Sequence, residues 1–249
     1  MKLSEPKLVR QVINLLHRLY RRLPNPPSTN YNLRHLAYNP YDMLPEGGLV
    51  LDVGCKSTRG LYAFSAAKTD LRLLGLDVEP FEGVDVVGDA HWLPFRSNSL
   101  DAVLCVSVLE YVRNPGEVVS EIFRALKPGG VFYVSVPFVF RYAPDPKDLY
   151  RFSVPGIEVL CASFEKIQSG YNRGPASTMC DLLVHFNAIL FCFNNRHVYN
   201  LFVDIFQWGL FWLKYLDRWI GDFGMAHVIC SGVFFLGRKP LESDSNGQL

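Results

Sequence analysis

A buried strand, a glycine turn and a second strand that ends in an acid stand near the start of this sequence and constrain its fold most. Residues 50–55 read Val-Leu-Asp-Val-Gly-Cys, and about twenty residues later 74–77 read Leu-Gly-Leu-Asp. The apolar runs predict two strands joined through a helix, and the glycine lets backbone N–H groups approach a ligand closely. An acid after the second strand can accept hydrogen bonds from ribose hydroxyls. The pattern therefore predicts an α/β fold with a nucleoside-binding edge.

Further apolar runs continue this alternation along the chain. We expect strands near 49–53, 72–77, 84–88, 101–106, 130–137, 164–167 and 227–237, and a helix at 116–127. The runs are almost continuously apolar, which is typical of parallel strands that are covered on both faces. The sequence thus predicts a doubly wound, mostly parallel sheet of seven strands, with ligands bound at the carboxyl ends of the strands.

The order of the motifs resembles the type 11 family of class I S-adenosyl-L-methionine (SAM)-dependent methyltransferases. After the strand-turn motif come Gly-Asp-Ala-His-Trp-Leu-Pro-Phe at 88–95, Val-Leu-Glu-Tyr-Val at 108–112 and Leu-Lys-Pro-Gly-Gly at 126–130. The resemblance covers roughly residues 45–170 and implies a Rossmann-like fold with SAM as the cofactor. It further implies methyl transfer to a small-molecule, glycan or lipid-linked acceptor, with oxygen as the favoured atom.

The resemblance also implies which residues bind the cofactor. The matching positions are Asp52, Gly54, Cys55, Lys56, Asp77, Val78, Asp89, Ala90, Cys105 and Val106. The turn after the first strand matches the part that packs against the methionine half of SAM. Asp77 matches the acid that holds the ribose, and Asp89 matches the acid beside the adenine. From the residues alone, Asp52 is equally suited to capping a turn and Asp89 to capping a helix.

Lys56 departs from the family pattern, in which a second glycine stands at this position. Its side chain could obstruct the close backbone approach that glycine permits. Alternatively, its ammonium could face outward or pair with the carboxylate of SAM. Both interpretations stay open at the level of sequence.

A second motif, at 144–153, reads Pro-Asp-Pro-Lys-Asp-Leu-Tyr-Arg-Phe-Ser and ends at a serine suited to capping a helix. It resembles a motif of one bacterial branch of the same family, although the histidine often found near its start is missing here. Asp148 and Arg151 either pair and fix the loop or, with Tyr150, face the acceptor. No catalytic residue is assigned, and we expect His91 to pack or cap near the adenine rather than to deprotonate a substrate.

The chain divides into three regions by composition. Residues 1–30 predict an amphipathic helix, at 5–23, and a proline-rich linker. Residues 31–240 predict the methyltransferase domain, with an aromatic helical cap at 176–222, and 241–249 form a polar tail. The N-terminal helix is interpreted either as a support that packs on the domain or as an interfacial helix drawn to anionic lipid.

Charge and cysteine use narrow the class of partner. The 25 basic and 24 acidic residues nearly balance, which argues against a nucleic-acid partner. Six scattered cysteines without metal-ligand spacing favour a reduced, cytoplasmic protein without a metal. No apolar run is long enough to span a bilayer. The aromatic cap either borders the substrate, forms a homodimer interface or, like 1–23, touches a membrane peripherally through 182–220.

Two other functional classes are compatible with parts of the pattern. A nicotinamide-dependent dehydrogenase would share the turn and the acid, but it should show Gly-x-Gly-x-x-Gly, which this chain lacks. A non-catalytic SAM-binding scaffold is the second alternative, because the glycine loop is altered and no general base is evident.

Overall fold

The computed structural model describes residues 25–30, 47–56, 71–144 and 146–241. The predicted helix at 5–23, the predicted helix between the first two strands and most of the polar tail lie outside these ranges. The described residues form two compact units. One unit comprises 25–30 with 173–229, and the other comprises the described residues from 47 to 172 with 230–241.

The second of these units contains a seven-stranded sheet. Its strands are β1 (Leu49–Val53), β2 (Arg72–Asp77), β3 (Val86–Val87), β4 (Leu100–Val106), β5 (Leu126–Pro137), β6 (Glu165–Arg173) and β7 (Gly232–Arg238). The order across the sheet is β3-β2-β1-β4-β5-β7-β6. Neighbours from β3 to β5 run parallel, and β7 runs antiparallel to β5. The predicted mostly parallel α/β sheet is confirmed.

Alternate residues of the central strands pack on opposite faces of the sheet. Leu51 belongs to the larger apolar cluster, and its neighbour Val50 belongs to a second cluster. Both side chains are fully buried, as expected for a strand covered on two faces. Helix α1 (Pro115–Ala125) adds Ile122 to the larger cluster and so covers one face beside β4 and β5.

The predicted strand limits hold best where the apolar run is uninterrupted. β1 and β2 have the predicted bounds, whereas β3 contains only two residues. The sixth strand extends beyond the predicted 164–167, and the strand predicted at 227–237 begins only at Gly232, because a 3-10 helix occupies Ala226–Ile229. β5 begins directly after α1, earlier than predicted, and includes Gly129 with a φ of +78°. The Gly129 N–H donates to the Lys239 carbonyl at 2.8 Å, so the start of β5 is tied to the chain that follows β7.

A short helix, α2 (Val154–Leu160), follows the motif at 144–153. The Ser153 hydroxyl accepts a hydrogen bond from the Gly156 N–H, so the predicted cap is present. Pro155 occupies the first turn, where a missing N–H costs nothing.

The other unit is helical. It contains α3 (Pro175–Phe191), α4 (Arg196–Leu210), a 3-10 helix at Phe211–Leu216, α5 (Asp217–Ile220) and a 3-10 helix at Ala226–Ile229. Asn195 caps α4 by accepting from the N–H groups of His197 and Val198. Helices α3 and α4 are therefore joined by a short turn at 192–195.

Helix α3 is capped by a residue far away in sequence. The carboxylate of Asp217 accepts hydrogen bonds at 2.8 Å from the N–H groups of Ala176 and Ser177. A Cβ at Gly174, the residue before the helix, would lie 2.3 Å from Asp217 Oδ1. Glycine is therefore required here because the carboxylate occupies the space of a side chain.

Residues 27–29 lie along this helical unit. Gln207 Nε2 donates to the Pro27 carbonyl at 3.0 Å, and Lys214 Nζ donates to the Ser28 carbonyl at 2.6 Å. The Thr29 hydroxyl donates to Asp181 at 3.5 Å. We call residues 27–29 the strap, because they connect side chains from α3, α4 and the following 3-10 helix.

Candidate functional site

The predicted cofactor residues follow strands whose carboxyl ends meet at one edge of the sheet. Val53 pairs with Leu76 on β2 and with Cys105 on β4. Because the strands are parallel, Gly54, Asp77 and Val106 each lie one residue beyond this level. Residues from distant parts of the sequence are thus brought together at the ligand-binding edge expected of an open α/β sheet.

The turn after β1 has a backbone shape that requires glycine. Gly54 has a φ of +71°, and its N–H and that of Cys55 both donate to the Leu76 carbonyl, at 2.8 and 3.2 Å. A Cβ on Gly54 would lie 2.3 Å from Val108 Cγ2. The turn is therefore pressed against both β2 and the segment after β4, and a side chain would force them apart.

Lys56 adopts the conformation that the usual glycine would supply. Its φ is +47°, in the left-handed region that side chains disfavour. Its side chain is exposed, and its backbone N–H donates to Asp77 Oδ2 at 2.8 Å. The N–H of Glu79 donates to the other oxygen, Oδ1, at 3.3 Å. The Asp77 carboxylate is thus held in place by main-chain donors while it retains lone pairs for a ligand.

Asp52 is a buried acid near Asp77. Its side chain belongs to β1 and the residue is only 3% exposed. Burial, and secondarily the negative charge of Asp77, raise the pKa of Asp52 from 3.8 to about 7. Two acids at this edge therefore favour a bound positive charge, which would offset both the desolvation and the repulsion.

The segment after β3 contains an acid–imidazole pair. Asp89 Oδ1 accepts from the His91 N–H at 2.9 Å and lies 2.6 Å from His91 Nδ1. Because a carboxylate only accepts, the proton of this contact belongs to Nδ1. Partial burial raises the pKa of Asp89, but the hydrogen bonds from His91 outweigh it and lower the pKa overall. Asp89 is half exposed and charged, whereas Ala90 is buried.

Helix α1 holds this segment in place. The Leu93 N–H donates to Glu121 at 3.1 Å, while Arg124 donates to the carbonyls of Leu93 and Phe95. Glu121 and Arg124 also pair with each other at 2.9 Å. We call these contacts of Glu121 and Arg124 with 93–95 the clamp, and the sequence analysis did not predict it. The one signal in the sequence was the three-residue spacing of the two charges, which indicates an ion pair on one helix but not what that pair contacts.

The remaining predicted positions differ in accessibility. Cys105 is fully buried within the larger apolar cluster, and Cys55 is buried in the turn. Val106 is partly buried, and Val78, just after β2, is 66% exposed. Of these side chains, Val106 and Val78 are therefore the ones open to a ligand or to solvent.

The segment after β4 presents groups that could meet an acceptor. Ser107 has a φ of +55°, and its N–H donates to the Ser135 carbonyl on β5. Glu110 is buried, and the adjacent Tyr111 is partly buried. Burial, together with the charges of Glu110 and Asp148, raises the pKa of the Tyr111 phenol. Tyr111 thus keeps its proton near neutral pH and can act as a hydrogen-bond donor.

The motif at 144–153 forms a fixed loop. Arg151 pairs with Asp148 through both guanidinium nitrogens and also donates to the Arg141 carbonyl. Asp148 accepts from the Ala143 N–H at 2.9 Å, and the Tyr150 hydroxyl donates to the Arg113 carbonyl at 2.8 Å. The three side chains that the motif analysis singled out are thus engaged in holding the loop beside the segment after β4.

Comparison with known proteins agrees with this architecture. A methyltransferase domain model matches residues 51–134. A ubiquinone biosynthesis O-methyltransferase of Shewanella pealeana is 30% identical over 201 residues, which cover 72% of this chain and 80% of that protein. The chain spans about half, or less, of the length of the first curated relatives that it matches.

Two solved structures share the fold. The Haloferax volcanii complex that contains the Trm112 methyltransferase activator includes a chain with 22% identity and a TM-score of 0.52, covering 84% of this chain and 90% of that one. Haemonchus contortus phosphoethanolamine N-methyltransferase 2, solved with phosphomonomethylethanolamine and S-adenosylhomocysteine, has 18% identity and a TM-score of 0.52. That match covers 84% of this chain and 51% of the other.

Proposed function

Since the chain belongs to the class I SAM-dependent methyltransferases, we propose that it transfers the methyl group of SAM to an oxygen atom of a small-molecule, glycan or lipid-linked acceptor. The observation that carries this proposal is the Asp77 carboxylate, oriented by the N–H of Lys56 at the end of β2. The turn at Gly54 has the positive φ that favours glycine, and it lies level with Asp77 at the end of the neighbouring strand, as the cofactor-binding turn of such a sheet does. SAM, when bound, supplies a methyl group already activated by its sulfonium.

Each acid at the sheet edge has a distinct proposed role. Asp77 accepts hydrogen bonds from the ribose hydroxyls, and Asp89 accepts one from the exocyclic amine of adenine. His91 keeps Asp89 charged and fixes its orientation. Asp52 contributes negative charge beside the methionine half, where a bound ammonium favours the ionised form of this buried acid.

Lys56 need not obstruct the cofactor in this proposal. Its backbone follows the left-handed path that glycine would take, and its side chain is exposed. The backbone N–H thus retains its bond to Asp77 whatever the ammonium does. Pairing of that ammonium with the carboxylate of SAM remains part of the proposal.

The acceptor side is proposed to work by positioning rather than by a strong base. Tyr111 keeps its proton at neutral pH, so it would orient the acceptor by donating a hydrogen bond to its oxygen, while the proton of the acceptor hydroxyl would pass to solvent as the bond to the methyl group forms. The ion pair between Asp148 and Arg151 holds the loop beside Tyr111, and the two charges neutralise each other. Alignment of the two reacting groups supplies much of the acceleration in such a displacement.

Titration calorimetry with SAM, S-adenosylhomocysteine and NADH tests the cofactor assignment. Asp77→Ala should abolish binding of both sulfur nucleosides, because the ribose acceptor is lost. Glu82→Ala removes an exposed carboxylate five residues further on and serves as the matched control. If NADH binds instead, or if Asp77→Ala binds as tightly as the unchanged protein, the proposal fails.

Transfer itself is tested with radiolabelled methyl donor and a panel of hydroxylated acceptors. Labelled product that survives mild base treatment would exclude a methyl ester, and fragmentation mass spectrometry of that product would then show whether an oxygen carries the methyl group. Cofactor binding without turnover on any acceptor would favour the scaffold alternative.

The balanced charge of the chain makes nucleic acid a poor candidate acceptor. The free cysteines favour a cytoplasmic location.

A further inference from the structure

One side of the helical stretch from Arg196 to Ile220 is apolar and exposed. The chain stays helical through α4, the 3-10 helix and α5. Large exposed side chains recur there every three or four residues, a spacing that brings them to one side of a helix. We call this set the aromatic face, and it consists of Ile205, Trp208, Trp212, Tyr215, Trp219 and Phe223.

The side chains of the aromatic face are strongly exposed and follow one another along a single stretch of chain. Trp219 is 71% exposed and Trp212 is 53% exposed. The Trp219 and Phe223 rings meet edge to face, with centroids 5.8 Å apart, so the face continues past the end of α5. A contiguous exposed patch of this kind indicates a binding surface.

The composition of the face indicates a lipid surface rather than another apolar core. Three of the four tryptophans of the chain lie on it. Tryptophan and tyrosine are enriched where a bilayer meets water, because each ring is apolar and carries one polar group. Within the described part of the chain, no helix is long and apolar enough to cross a bilayer. The face is therefore suited to lying on a bilayer.

Charges around the face favour an anionic surface. Asp217 is buried in the α3 cap, and burial raises the pKa of Asp204. Of the three acids between Arg196 and Phe223, Asp222 is the one with an exposed side chain, whereas both Arg196 and Arg218 are exposed. Two of the three acids are thus fully or partly buried, whereas both arginines are exposed and can contact phosphate groups.

The sequence that leads into this unit is also basic. Residues 1–23 contain six lysines and arginines and a single glutamate. The strap fixes the point where that sequence joins the helical unit, through Gln207 and Lys214. Each basic residue near an anionic bilayer adds to the attraction, so the charge of 1–23 complements the same partner.

We propose that the aromatic face binds the surface of a bilayer that contains anionic phospholipid. The tryptophan rings lie at the level of the headgroups, and the arginines lie near the phosphates. This inference does not depend on the proposed methyl transfer, since it rests only on the helical unit and its charges.

Vesicle co-sedimentation of the full chain tests the proposal, with phosphatidylcholine vesicles compared against vesicles that also contain phosphatidylglycerol. The unchanged protein should bind the anionic vesicles at low salt and release at high salt. The double variant W212S/W219S should bind about tenfold more weakly or worse, because two large rings no longer leave water.

Trp92 provides a matched control, since it is 74% exposed but belongs to the sheet-containing unit. Trp92→Ser should bind vesicles as tightly as the unchanged protein. Trp219→Ser should bind them more weakly. Circular dichroism and sedimentation velocity on each variant establish that fold and oligomeric state are retained. The proposal is overturned if the unchanged protein ignores anionic vesicles, or if Trp92→Ser and Trp219→Ser behave alike. It is equally overturned if Trp219→Ser dissociates a dimer, because the face would then join two copies.

Discussion

Asp52→Asn should make the protein without cofactor more stable at alkaline pH, although it removes a proposed cofactor-binding group. In the folded protein the pKa of Asp52 is raised to about 7 from 3.8. An acid with a raised pKa contributes stability below its unfolded pKa and loses that contribution as the pH rises through the folded value. The unfolding free energy of the unchanged protein therefore falls between about pH 4 and pH 8. The asparagine variant, which has no carboxyl at position 52, lacks this contribution to the fall.

The size of the effect follows from the two pKa values. With 3.8 unfolded and about 7 folded, the raised pKa of Asp52 lowers the unfolding free energy by about 2 kcal/mol at pH 5 and by about 4 kcal/mol at pH 8. The difference in unfolding free energy between Asp52→Asn and the unchanged protein should thus increase by about 2 kcal/mol between these pH values. Constant contributions, such as the different hydrogen bonds of an amide, cancel in this comparison.

Urea unfolding at pH 5 and pH 8 measures the effect, with Glu82→Gln as a control that removes a charge from an exposed position. The reasoning is refuted if the advantage of Asp52→Asn grows by less than about 1 kcal/mol across this range, or if Glu82→Gln gains as much. Calorimetry on the same variant should show weaker SAM binding, since the proposed partner of the ammonium is neutral.

Two further substitutions probe the turn and the helical unit. Lys56→Gly should raise the unfolding free energy by up to about 1 kcal/mol, because the left-handed backbone at 56 is relieved; a clear loss measured by urea unfolding would mean that the lysine side chain makes stabilising contacts. Asp217→Ala should destabilise the helical unit by about 2–4 kcal/mol, since two buried N–H groups of α3 lose their acceptor; exchange-rate measurements should then show faster hydrogen exchange in α3 than in β4, and equal protection would contradict the assigned cap.

Local patterns were sufficient to predict much of the fold. The apolar runs of β1 and β2 gave their bounds, and the Ser153 cap of α2 was predicted because capping depends on neighbours in sequence. β3, β5, β6 and β7 departed from their predicted limits because those limits depend on pairing with other strands, which no local pattern records. The family's motif order predicted the seven-stranded architecture, and the comparisons confirm that.

The positions of the site residues could be predicted from the sequence, but the hydrogen bonds that hold them in place could not. Asp77 and Asp89 stand where the motif order expected them, and their roles toward a cofactor remain predictions. The contact between Lys56 N–H and Asp77 spans 21 residues, and the clamp of Leu93 by Glu121 spans 28. Such contacts depend on which strands become neighbours, so a reading of sequence alone cannot assign them.

The strap has a consequence for how the chain acquires its structure during synthesis. Residues 27–29 leave the ribosome before their partners Asp181, Gln207 and Lys214, which follow 152, 180 and 186 residues later. At the usual speed of translation the interval is on the order of ten seconds. The hydrogen bonds of the strap therefore cannot form until these partners have been synthesised. Until then the strap carbonyls are hydrogen-bonded to water. Residues 27–29 are therefore made before the rest of the helical unit but are among the last of its residues to form their native contacts.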